Sequence, residues 1–118
     1  MLNRRNVFDE EDWAKLLQRM EKHLGKKLTF EALLFLIGIQ ELGLGPKVFN
    51  KEEKQDLMHI AVCKLLSISG YYELEGLDSE GWPHWKQVSP LPFLSLKEQE
   101  AFLKMMMVEY FKELPELT

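Results

Sequence analysis

Apolar positions recur with a helical period in four stretches of the chain, separated by breaks that carry glycine or proline. The first opens at Asp9, an N-cap residue with Asp12 three positions on. Phe8 and Trp13 are spaced as a hydrophobic staple. Trp13, Leu16, Leu17, Met20 and Leu24 form one narrow stripe, and Gly25 is a natural stop. This predicts an outer helix over 9–24.

Thr29 caps a second helix over 29–42, with Leu28 and Leu33 as its staple. Only Glu31, Gln40 and Glu41 are strongly polar between Phe30 and Leu42, and a helix apolar nearly all round is a buried one. Gly38 costs about 1 kcal/mol there relative to Ala, which implies close approach by another helix backbone. Gly43, Gly45 and Pro46 end the helix.

Asn50 with Glu53, and Gly70 at the other end, bracket a third helix over 50–69. Leu57, Met58, Ile60, Ala61, Val62, Leu65, Leu66 and Ile68 make a broad apolar arc. Glu52, Asp56, His59, Cys63 and Ser67 share the opposite, polar side. The capping box Ser95–Glu98 opens a fourth helix over 95–114, ending before Pro115. Its main face is Leu103, Met106, Met107, Tyr110, Phe111 and Leu114. Ala101, Met105 and Val108 form a second apolar strip, so both sides are expected to be covered, with the segment before this helix one candidate cover.

That segment, 71–88, reads as a β-hairpin. Asp78-Ser79-Glu80-Gly81 fits a type I turn followed by a left-handed glycine. Tyr72 and Leu74 share one strand face, expected to be core; Tyr71, Glu73 and Glu75 share the other. Pro83 belongs at an edge, because it has no N–H for the ladder. Pro90 and Pro92 make 89–94 an extended lead into the last helix. The expected architecture is mainly α (α+β): one compact domain over 1–118, four helices packed around the second, with a hairpin inserted between the third and fourth.

Composition supports this reading and narrows the setting. The chain has 118 residues, 46% hydrophobic and 29% charged, a size and balance usual for one globular domain without a metal or disulfide staple. Cys63 is the only cysteine, which fits a reducing, cytoplasmic compartment. No apolar run follows Met1-Leu2-Asn3-Arg4-Arg5-Asn6, so no signal peptide is expected, and Ala32–Ile39 is too short to span a membrane. Net charge is −4, divided as +2 over residues 1–27 and −6 over the remainder. The basic group Lys22, His23, Lys26 and Lys27 around Gly25 reads as cations at a helix C-terminus, with a phosphate contact as the alternative.

Candidate chemistry concentrates in the hairpin segment, which holds two of the three Trp, two of the three Tyr and one of the three His. Trp82, His84, Trp85 and Tyr71 are the candidate binding residues, with His84 set to face Glu73 or Glu75 across the ladder. Such rings stack on a sugar, a base or a proline-rich peptide. Nucleic acid is disfavoured, because Glu73, Glu75, Asp78 and Glu80 face only Lys86 in charge. Helices followed by a hairpin also suggest a winged-helix module. Yet the helix that would read the major groove begins Lys51-Glu52-Glu53-Lys54-Gln55-Asp56, a poor neighbour for phosphate. Asp56, His59 and Cys63 are spaced to offer carboxylate, imidazole and thiol from one helix face. No second Cys/His cluster completes a metal set, so the expectation is a solvated surface and no cofactor. No catalytic triad motif or phosphate loop is present.

The stretch Gly70–Val88 with its GWPHW motif, followed by Ser89-Pro90-Leu91-Pro92-Phe93-Leu94 and the Met-rich helix, resembles small uncharacterised bacterial proteins of the Bacteroidetes type. The resemblance covers about the last fifty residues. It implies a bacterial, cytoplasmic setting and carries no activity or site residues. Two functional classes remain. One is a non-enzymatic module that binds a protein partner or itself, suggested by the two-faced fourth helix and the adaptable Met105, Met106 and Met107. The other is a small-molecule or peptide binder, or a small enzyme, with Trp82, His84, Trp85 and Tyr71 lining a pocket against the third helix.

Overall fold

The computed structural model describes residues 8–45 and 47–114. The leader reading of Met1–Asn6 and the stop signals at Pro46 and Pro115 lie outside the described residues. The elements run α1 (Glu10–Leu24), α2 (Phe30–Leu42), α3 (Lys51–Ile68), β1 (Tyr72–Leu77), β2 (Pro83–Gln87) and α4 (Leu96–Lys112). The protein is mainly helical, with an antiparallel hairpin between the third and fourth helices.

Local chemistry sets these boundaries. Asp9, Thr29, Asn50 and Ser95 each cap a helix by accepting backbone N–H groups that the first turn leaves unpaired. In α3 and α4 the capping is reciprocal, because Glu53 and Glu98 accept the N–H of Asn50 and Ser95. Gly25 and Gly43 end α1 and α2 in the left-handed conformation. No helix among the described residues is long and apolar enough to cross a membrane.

The described chain falls into two compact units, one from residues up to Leu28 with those from Pro92 onward, the other from Thr29 to Leu91. In the first, α1 packs against α4. Trp13, Leu16 and Met20 are buried on α1, and Met106, Met107, Tyr110 and Phe111 on α4. Lys104 Nζ sits over two rings, 5.1 Å from the Trp13 centroid and 5.9 Å from that of Phe8, a cation–π arrangement. Ala101, Met105 and Val108 are half-buried. Of the basic group, Lys22 and His23 occupy the last turn of α1 and Lys27 Nζ lies 4.0 Å from Glu21, the arrangement expected of cations at a helix C-terminus.

The second unit is built on α2 against α3. Leu33, Leu34, Ile37 and Leu42 are buried on α2; Leu57, Ile60, Ala61, Leu65 and Leu66 on α3. Gly38 is the point of closest approach. A Cβ there would fall on the Leu57 carbonyl group and 2.9 Å from the Leu57 Cβ, so only glycine lets the two backbones meet. Phe49, buried with Leu42 and Leu57, forms a cluster against which Phe35, Ile39 and Trp82 pack.

The hairpin contacts α3 through both strands. Its register pairs Tyr72 with Gln87, Glu73 with Lys86, Leu74 with Trp85, Gly76 with His84 and Leu77 with Pro83, with a bulge between Leu74 and Gly76. Pro83 opens β2, where its missing N–H costs the ladder little. Two expectations fail here. Leu74 is not core: it is 52% exposed, on β1 opposite Trp85. Cys63 is not at a solvated margin. It is 1% exposed, while Ile68, placed in the apolar arc, is exposed. The polar side of α3 is only partly a solvent face, because the hairpin stands beside it.

Candidate functional site

The turn that joins the strands is organised by one carboxylate. Gly81 N–H donates to the Asp78 carbonyl at 3.0 Å, closing the four-residue turn, and Gly81 itself is left-handed at φ 87°. Asp78 N–H donates in turn to the Trp82 carbonyl at 2.9 Å. The Asp78 side chain then folds back: Oδ1 accepts the N–H groups of Glu80 at 2.9 Å and Trp82 at 3.0 Å. Oδ2 accepts from His84 Nε2 at 3.0 Å. The His84 bond first, and the Trp82 amide next, hold the Asp78 carboxyl below the usual carboxylate range.

This corrects the expected partner of His84. The bulge at Glu75 sets Gly76 opposite His84, and Glu73 faces Lys86. The imidazole therefore turns to the tip of the hairpin, not to a cross-strand glutamate.

Between the turn and α3 lies a cleft of about 430 Å³. Glu53, Asp56, His59 and Ile60 line it from α3; Trp82, Pro83, His84 and Trp85 line it from the hairpin, with Asp78 and Glu80 at the turn. Three of the four candidate residues, Trp82, His84 and Trp85, thus come together against the third helix. Tyr71 is not among the lining residues. Its backbone closes the base of the hairpin, accepting from Val88 N–H at 2.9 Å and donating to the Leu66 carbonyl at 3.1 Å. Trp82 is anchored from behind by the Leu42, Phe49 and Leu57 cluster. The Trp85 indole N–H is buried and has no acceptor among the described residues.

The four carboxylates are not equivalent. Asp78 is saturated by the bonds above, and Glu53 Oε1 is held by Asn50 N–H at 3.0 Å. The Asp56 and Glu80 carboxylates have no hydrogen-bond or ion-pair partner among the described residues. They stand on different elements, one on the helix and one on the turn. No three His, Cys, Asp or Glu side chains among the described residues converge as a metal set requires.

His59 leads out of the cleft to Cys63, whose Sγ lies 3.5 Å from Nε2. Burial pushes the thiol up to about 11. The protonated thiol is a poor nucleophile. Sequence reasoning assigned Asp78 and Glu80 to the turn and Asp56 and His59 to a separate helix face. What joins them is the approach of the hairpin to α3, for which the only sequence signal is the Trp-Pro-His-Trp run itself.

No protein-family model, curated protein or solved structure matches the chain.

Proposed function

We propose that this protein is a non-enzymatic binding module that uses the cleft between α3 and the hairpin to hold a positively charged segment of a protein partner. The observation that carries the reading is the lining: four carboxylates and two indoles around one concave site. Carboxylates on both walls favour a cation over an anion, and indoles add attraction through the ring quadrupole. Pro83 offers apolar surface to the stem of a long basic side chain. Phosphate-bearing partners are repelled by the same carboxylates. A bacterial, cytoplasmic setting for this role is what the resemblance read from about the last fifty residues implies.

The test is calorimetric titration of the full chain with a flexible peptide rich in lysine and arginine, against the same peptide with glutamate at those positions. The expected result is saturable binding of the basic peptide alone, with NMR shifts concentrated at the Trp82 and Trp85 indole N–H signals. Binding that leaves both indole signals unmoved would place the site elsewhere and end this reading.

A further inference from the structure

We infer that the group the cleft selects is the guanidinium of an arginine side chain, in preference to a lysine ammonium; this rests on the reading of the cleft as a cation site. Asp78 and Glu53 are committed to the turn and to the α3 cap. Asp56 and Glu80, one on each wall, have carboxylates without a partner among the described residues.

Asp56 stands on α3 and Glu80 on the turn, so these carboxylates face the cleft from two elements. A compact ammonium ion is a point charge, whereas a guanidinium is a planar fork. Its five N–H donors point outward along a rigid plane, so two edges can engage carboxylates approaching from different sides. Its faces remain free to stack on an indole, and it sheds water more readily than an ammonium does. Trp82 and Trp85 supply rings in the same cleft, and Trp82 is fixed by the hydrophobic cluster behind it. At about 430 Å³ the space admits an arginine side chain with part of its backbone.

The experiment titrates the full chain with three capped tripeptides, acetyl-Gly-Xaa-Gly-amide, in which Xaa is arginine, lysine or the neutral isostere citrulline. The arginine peptide is expected to bind tighter than the lysine peptide by roughly fivefold or more, with no measurable binding of citrulline. Asp56→Asn and Glu80→Gln, both at exposed positions, should each weaken the arginine peptide by roughly threefold to tenfold and leave the helical circular dichroism unchanged. Equal binding of arginine and lysine, or indifference to both substitutions, overturns the guanidinium assignment while the cation site stands. The same holds if the longer basic peptide binds and the arginine tripeptide does not. Failure of every basic peptide overturns both.

Discussion

Gly38 and Cys63 show how differently single residues can be constrained. Gly38 has helical geometry, so its need is for space and not for backbone freedom: the Leu57 backbone occupies the place of a Cβ. Gly38→Ala is therefore expected to destabilise the second unit by about 2–3 kcal/mol despite the higher helix propensity of alanine, measured by urea denaturation. A stability equal to or above the parent would show that α2 and α3 separate at little cost. This constraint was legible in advance, because a glycine inside a strongly apolar helix requires compensation. The burial of Cys63 was not. Its place among Asp56, His59 and Ser67 on the helical wheel says polar, and a wheel cannot report that another element covers one end of that face. The exposure of Leu74 was hidden for a related reason: strand alternation names two faces but not which one meets the helix.

At the scale of elements, caps and stops were readable because they are local chemistry. Asp9, Thr29, Asn50 and Ser95 act within three residues of their own positions, and the turn at Asp78–Gly81 closes within four. The bulge was missed, although Gly76 inside β1 is a signal for one. It redirected His84 from the glutamates to Asp78. Asp78 links the hairpin to pH. Its folded-state carboxyl lies below the ordinary value of about 4, so its contribution is present above that value and is lost as pH falls through the lowered one. Asp78→Ala should mimic that loss at neutral pH, speeding amide exchange at Glu80 and Trp82 while the α2–α3 core amides keep their protection. Unchanged exchange at those two amides would mean that the strands, not the carboxylate, hold the turn.

For the whole molecule, charge asymmetry was visible from composition, with −6 carried beyond residue 27, but the gathering of that charge into a cleft was not. It takes the fold to bring residues of α3 and the turn, some twenty-five positions apart, to one site. If a cation is held there through exposed carboxylates, affinity should fall severalfold as ionic strength rises to about 0.5 M, where screening acts over only about 4 Å. Salt-independent binding would point instead to the indoles as the main contact. The three tryptophans have a further consequence. Trp13 belongs to the first unit, while Trp82 and Trp85 belong to the second. Tryptophan fluorescence, excited beyond the tyrosine absorption band, would come from the cleft alone in Trp13→Phe and from the α1–α4 pair alone in the Trp82→Phe, Trp85→Phe double variant. The protein thus carries a separate optical reporter in each half, and comparing their melting curves would reveal whether the two units unfold as one cooperative body or as two.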